Sequence, residues 1–286
     1  MQQFETGILY VVGTPIGNRG DCTPRALETL GSVAAIVAED TRHVQRLLAD
    51  TPVRGDRVSL NAHNEEDRIP RLLERLSGGE DLALVSDAGV PAISDPGGRL
   101  VAAAHGAGIP VRAVPGPSAV TAALSVAGFA ANRFAFEGFL PTKGEARRSR
   151  LREIARDPRT VVLFESPRRI AGLLDDLEAA CGSEREAVVT RELTKRFETN
   201  RRGPLRELAG HFTGHDEEQR GEFTVCVAGA PEEQPGDGSA TVEADKVLEA
   251  LLAELSPSRA AKVAARITGR PKNALYQRAM ELDGKE

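Results

Sequence analysis

The sequence predicts an α/β fold in two parts, followed by a small all-α segment. Three observations carry that expectation. From Gly7 to Val126 short, continuously apolar runs alternate with helical patterns, which argues for a mostly parallel sheet buried on both faces. A linker-like stretch, Gly128 to Arg133, then precedes a second series of strands and helices. A polar Pro/Gly-rich stretch, Pro231 to Ser239, separates both from residues whose periodicity is helical. The expected boundaries are an N-terminal α/β domain at 1–127, a second α/β domain at 128–230, a linker at 231–240 and a basic three-helix segment at 241–286.

In the first part the strands are expected at Gly7–Val12, Val33–Ala38, Val58–Leu60, Leu82–Val85 and Val111–Val114. Thr23 and Pro24 read as the N-cap and first residue of a helix through Leu30. Further helices are expected from about Arg68 to Leu76, after Gly98, and from Ala119 to Val126. Three strand ends carry Gly/Pro turns: Gly13–Asn18, Ser86–Gly98 and Pro115–Ser118. The middle one organises the rest. It takes about a dozen residues where a strand–helix connection usually takes two to six, and it carries Asp87 and Asp95. Open α/β sheets bind ligands just beyond the carboxyl ends of their strands. The turn after the first strand is neither a P-loop nor a G-x-G-x-x-G fingerprint. Ser118 sits at a helix start, where it suits a plain N-cap or a bound carboxylate equally. Glu39-Asp40-Thr41-Arg42-His43 suits a site or an acidic helix start.

The second part offers strands at Phe134–Pro141, Thr160–Phe164, Val188–Thr190 and Glu222–Ala228, with a helix from Ile170 to Ala180. Charge gathers at three places. Lys143, Arg147, Arg148, Arg150 and Arg152 face one acid, Glu145, which suits a phosphate-contacting patch or a solvated helix face. Glu165-Ser166-Pro167-Arg168-Arg169 and Arg191-Glu192-Leu193-Thr194-Lys195 both follow strands, where they would rim a cleft or form surface ion pairs. From Ser256 to Met280 there are six Lys/Arg and no Asp/Glu, in a helix-turn-helix-like arrangement that would bind nucleic acid, pack on the main body or pair protomers.

Composition narrows the class. A net charge of −5 excludes a wholly basic nucleic-acid binder, and the absence of Trp argues against wide stacking platforms for single strands. Cys22, Cys181 and Cys226 are odd in number and far apart, so neither a disulfide framework nor a zinc site is expected. His211 and His215 lack a third ligand, and no metal is expected. No signal peptide and no membrane span is read, which suits the cytoplasm.

Six motifs together resemble the tetrapyrrole methylase superfamily, in particular its branch that methylates ribose in small-subunit ribosomal RNA. They are Leu9–Asn18, Ala38–His43, Val85–Gly97, Pro115–Ala119, Phe164–Arg169 and Arg191–Lys195, and the resemblance covers essentially the whole chain. It implies two α/β domains with mixed sheets flanked by helices, S-adenosylmethionine in the cleft between them, a homodimer, and 2′-O-methylation of a decoding-region cytidine in 16S RNA or the assembled 30S subunit. The implied cofactor contacts are Pro15, Asp87, Ala88, Gly89, Val90, Ile93, Ser118, Ala119 and Phe164. The superfamily usually has Gly-Asp-Pro where Ser86-Asp87-Ala88 stands here, which matches the RNA-modifying branch. Glu165, Glu192 and Lys195 are the catalytic candidates, because a hydroxyl of high pKa needs a base or a cation favouring the alkoxide. Arg168, Arg169 and Arg191, with Lys143, Arg147, Arg148, Lys272 and Arg278, are the expected RNA contacts. A methylase of a tetrapyrrole ring and a non-catalytic ribosome-assembly factor are the competing readings.

Overall fold

The computed structural model describes residues 6–283 apart from 50, 52, 54 and 232–237. The first sheet consists of β1 (Leu9–Val12), β2 (Ala35–Ala38), β3 (Asp56–Ser59), β4 (Leu82–Val85) and β5 (Val111–Val114), in the order β3-β2-β4-β1-β5. Every pairing in it is parallel. The inner strands β2 and β4 are buried throughout, so they read as unbroken apolar runs rather than alternating ones. Helices α1 (Pro24–Ser32) and α2 (Thr41–Leu47) cover one face through Ala26, Leu30 and Val44. Helices α3 (Glu65–Ser77) and α4 (Gly98–Gly106) cover the other through Leu72, Leu76 and Leu100. Thr23 caps α1 by accepting from the Ala26 amide at 3.1 Å. Helix α3 starts three residues earlier than expected: Glu65, Glu66 and Asp67 occupy its first turn, where their charge complements the dipole.

The second sheet is mixed. It holds β6 (Phe134–Phe139), β7 (Thr160–Glu165), β8 (Glu186–Arg191), β9 (Thr199–Pro204) and β10 (Phe223–Val227), in the order β6-β7-β10-β8-β9. Only the β6–β7 pair is parallel. Helices α6 (Gly144–Arg156), α7 (Ile170–Cys181) and α8 (Leu205–Gly214) pack on one face through Leu151, Leu173, Leu177, Leu208 and Phe212. Its other face receives α5 (Ala119–Ala127), whose Val120, Ala123 and Leu124 meet Val162, Val188 and Cys226. The last helix of the first part is thus packed on the second sheet, and residues 1–230 form one compact unit.

Residues 231–286 form a second unit. Of the expected linker 231–240, residues 232–237 lie outside the described ones, and Gly238–Ala240 are helical: they open α9 (Gly238–Leu252). Helices α10 (Pro257–Thr268) and α11 (Lys272–Asp283) follow, separated by Gly269 at φ +70°. Ala260, Ala261 and Ala264 of α10 share a small buried core with Leu248 and Leu275, their short side chains allowing close helix approach. No described helix is long and apolar enough to cross a membrane.

Candidate active site

β4, β1 and β5 are neighbours, so the three Gly/Pro turns emerge side by side at one edge of the sheet. Two close backbone approaches tie them together. Thr14 and Gly89 exchange backbone hydrogen bonds of 2.8 and 3.1 Å, and the Thr14 hydroxyl donates to the Ser86 carbonyl at 3.3 Å. Gly13 meets Gly116 so closely that a Cβ on Gly116 would lie 2.6 Å from the Gly13 carbonyl oxygen. The far end of the long loop is held by Glu65, buried at 7% exposure, which accepts from the Gly97 amide at 3.0 Å.

Opposite these turns stand the ends of β6 and β7 and the loop after β8. Asn18 donates its amide to the Thr194 hydroxyl at 3.0 Å, and the stem of Lys195 lies against Gly17. Among the described residues the non-glycines in the left-handed region are Ala92, Ser94, Glu192 and Thr194. All four belong to these two facing loops, and such conformations cost about 1–3 kcal/mol each, so they persist only where the surroundings enforce them.

Between the loops lies a cleft of about 380 Å³. Its walls are mostly apolar, and two large side chains are left open toward it: Ile93 at 45% and Phe139 at 55% exposure. Phe164 is fixed edge-on by Phe136 and Phe139, with ring centroids 4.9 and 5.7 Å away. Ser118 begins α5 without a side-chain cap bond, so its hydroxyl is not spent on the helix.

Of the residues expected to contact a cofactor, Ala88, Gly89, Val90, Ile93, Ser118, Ala119 and Phe164 line this cleft. Pro15 and Asp87 do not. Pro15 is next to Ile16, which does line it, and Asp87 accepts from the Asp40 amide at 3.2 Å and pairs with His43 at 3.1 Å. The catalytic expectations need correction. The Glu165 carboxylate is fully buried and held by Arg169 at 2.8 Å and the Ser166 amide at 2.7 Å, so it is a brace rather than a base. Glu192 does not line the cleft, and it accepts from the Glu222 amide at 3.0 Å and from Lys195 Nζ at 2.9 Å. Burial pushes its pKa up, but the Lys195 and Glu222 hydrogen bonds outweigh that and leave it lowered. Lys195 sits between Glu192 and Glu222, 2.9 Å from each. Burial works against its charge, yet the two carboxylates raise its pKa and keep it an ammonium.

Several expected RNA contacts are engaged elsewhere. Arg147 is buried and joins α6 to α7 through Asp176 at 2.7 Å and the Pro141 carbonyl at 3.1 Å. Arg169 holds Glu165 and the Leu140 carbonyl, and Arg278 ties α11 to α9 through Asp245 at 2.6 Å. These three guanidiniums hold the fold rather than face phosphates. Arg191 donates to the Arg220 carbonyl at 2.7 Å, and Arg148 pairs with Glu145 at 2.9 Å on the surface. Lys143, Arg168 and Lys272 are exposed.

Asp95, present in the long loop but not singled out as a site residue, lines the cleft. Burial, then the charges of Glu39 and Asp87, push its pKa up to about 6 against an opposing hydrogen bond from Ser86. Burial, then the charges of Asp87 and Asp40, raise Glu39 as well, whereas hydrogen bonds from Arg42 hold Asp40 far below the usual range. The raised Asp95 has a consequence for stability. Its penalty is absent below the ordinary aspartate range, grows as pH rises, and is complete above about 6. Asp95→Asn is therefore expected to stabilise the protein at pH 8 by about 1–2 kcal/mol, after allowance for solvent screening, and to leave the melting temperature unchanged at pH 4.

Residues 8–209 match the family model for tetrapyrrole (corrin/porphyrin) methylases, and residues 238–283 match the model for the RsmI C-terminal HTH domain. The chain is 50% identical over 284 residues to the ribosomal RNA small subunit methyltransferase I of Pseudomonas aeruginosa, covering 99% of this chain and 100% of that one. It is 44% identical to the protein of the same name from Synechocystis sp., covering 97% and 99%. Among solved structures the methyltransferase CobJ aligns with a TM-score of 0.61 at 24% identity, covering 81% of this chain and 98% of that one. Uroporphyrin-III C-methyltransferase from Thermus thermophilus, complexed with S-adenosyl homocysteine, aligns with a TM-score of 0.57 at 20% identity, covering 78% and 97%.

Proposed function

This chain belongs to the tetrapyrrole methylase family and, within it, to the ribosomal RNA small subunit methyltransferases I; we propose that it transfers a methyl group from S-adenosylmethionine to the ribose 2′-hydroxyl of a cytidine in the decoding region of 16S RNA. The observation that carries the reading is the cleft itself: seven of the residues assigned to the cofactor line it. That lining fits the group. Gly89 and the small Ala88, Ser118 and Ala119 leave room for backbone contacts, while Ile93 and Phe164 offer flat apolar surface to an adenine. When bound, S-adenosylmethionine supplies an electrophilic methyl group on sulfur.

The rest falls to the chain. The tied turns hold one reactant still and the facing loop holds the other, so that two molecules react as one. Lys195 is not itself in the cleft lining, but it is held 2.9 Å from Glu222, which is, and its positive charge would favour an alkoxide there. Arg168 and Lys143, exposed near the second sheet's strand ends, are the proposed phosphate contacts there, and Lys272 the one in the helical unit. The reading includes the assembled 30S subunit as substrate, a cytoplasmic location, and a homodimer that sedimentation velocity would test.

Tritium transfer from labelled S-adenosylmethionine to purified small subunits, followed by digestion to nucleosides, tests the reaction. The label is expected in 2′-O-methylcytidine. Lys195→Met is expected to slow single-turnover transfer by about 10²–10³-fold while leaving cofactor affinity, measured by calorimetry, within a few-fold. Label in a base methyl group, or none in RNA, would overturn the proposal.

A further inference from the structure

Three carboxylates line the cleft: Asp95, Glu165 and Glu222. Two are neutralised by cations. Glu165 is sealed behind Arg169, and Glu222 is 2.9 Å from Lys195 Nζ. Asp95 has no Lys, Arg or His partner among the described residues. Its charged surroundings are acids: Glu39 at the end of β2 and Asp87 in its own loop. The cations of the neighbouring Asp40–His43 stretch are paired with other acids, His43 with Asp87 and Arg42 with Asp40. Arg169 and Lys195, on the facing elements, are likewise paired.

The backbone places Asp95 as well. It follows Ser94, at φ +64°, and lies three residues after Ala92, at φ +66°. Ser94 reaches across to β6, where Gly138 leaves room for its hydroxyl; a Cβ there would lie 3.0 Å from that oxygen. Two left-handed residues and a glycine in the facing strand thus set this part of the loop between the two sheets. Beyond it Pro96 and Gly97 lead into α4, with Gly97 anchored by Glu65.

We propose that Asp95 is the general base that accepts the proton of the substrate hydroxyl, an assignment that rests on the ribose-hydroxyl reading above. As the hydroxyl O–H bond breaks, its proton passes to a carboxylate oxygen of Asp95. The oxygen's electron pair forms the new bond to the methyl carbon, and the carbon–sulfur bond breaks with its pair remaining on sulfur, now a neutral thioether. The protonated Asp95 then returns its proton to water. A carboxyl that titrates near 6 is ionised at neutral pH yet more basic than an ordinary aspartate, which is the compromise a general base requires. Lys195, paired with the cleft-lining Glu222, remains charged and complements it.

The test uses the full chain with small subunits as substrate. Wild-type single-turnover rates are expected to rise with unit slope to a plateau above about pH 6. Asp95→Asn is expected to lose about 10³-fold at pH 7.5 and to lose that limb, with Asp95→Glu recovering part of the rate. Calorimetric affinity for S-adenosylmethionine is expected to change by less than about threefold. Carbon-13 NMR of aspartate-labelled protein without cofactor is expected to show one carboxyl titrating near 6 that is missing in Asp95→Asn. An Asn variant that keeps more than about a tenth of the rate, or the same pH limb, would overturn the assignment. So would a loss of cofactor affinity above about tenfold, which would make Asp95 a binding residue. Absence of transfer by the wild type would instead overturn the hydroxyl reading, and the base with it.

Discussion

Gly116→Ala is expected to abolish measurable binding of S-adenosylmethionine and to destabilise the protein by about 3 kcal/mol. The collision is between backbones. A methyl group at position 116 would stand 2.6 Å from the Gly13 carbonyl oxygen and 2.8 Å from its Cα, and no side chain is present to turn aside. Gly13 is itself held, its amide bonded to the Val114 carbonyl at 3.0 Å, so relief requires β1 and β5 to part at the ends that carry the cleft. Overpacking of this kind costs about 1–3 kcal/mol in a side-chain core, and the upper end applies where the obstacle is main chain. Gly210→Ala, in the middle of α8 with nothing beyond the helix's own backbone within 4 Å of the added carbon, is the control. It is expected to leave binding intact and to stabilise by about 0.5–1 kcal/mol through helix propensity. Urea denaturation and calorimetry on both variants separate a blocked site from a general intolerance of added methyl groups.

That contrast marks how far the sequence could be read. The inner strands were legible because a strand covered on both faces must be apolar throughout, as Ala35–Ala38 and Leu82–Val85 are. The turns were legible because Gly and Pro punctuate them. β9 was not: Thr-Asn-Arg-Arg-Gly-Pro is an exposed edge strand, and charged residues there discourage pairing with another chain while hiding the strand from any hydrophobic pattern. Helix α8 after it went unread as well. The side-chain roles were the least legible part. Arg147 and Asp176 are 29 positions apart, and Arg278 and Asp245 are 33 apart, so a basic cluster in the sequence gave no sign of which of its members the fold had already engaged. The same limit hid Asp95. Its presence in a glycine-rich loop was plain, but its want of a cation partner is a property of the tertiary structure.

The correction at Arg169 leads to the second large effect. Arg169→Ala is expected to destabilise the protein by about 3–5 kcal/mol, because it strips the cation from a carboxylate whose side chain is 0% exposed. Glu165 would retain the Ser166 amide but lose its charged partner, and the Leu140 carbonyl would lose its donor too. The loss is expected to reach the cleft, since Phe164, Ser166 and Pro167 line it on either side of that carboxylate. Removing the second charge in Arg169→Met/Glu165→Gln should recover a large share of the stability, since a neutral amide costs far less to bury than an unpaired carboxylate. Arg168, one residue earlier and exposed, is the comparison. Its alanine variant is expected to change stability by less than about 0.5 kcal/mol while weakening RNA binding and lowering the salt slope by about one. Denaturation midpoints and salt-dependent RNA titrations on both variants would decide the matter. A stable Arg169→Ala with weakened RNA binding would return Arg169 to the RNA surface, and an unstable one would fix it as the brace behind the cleft wall.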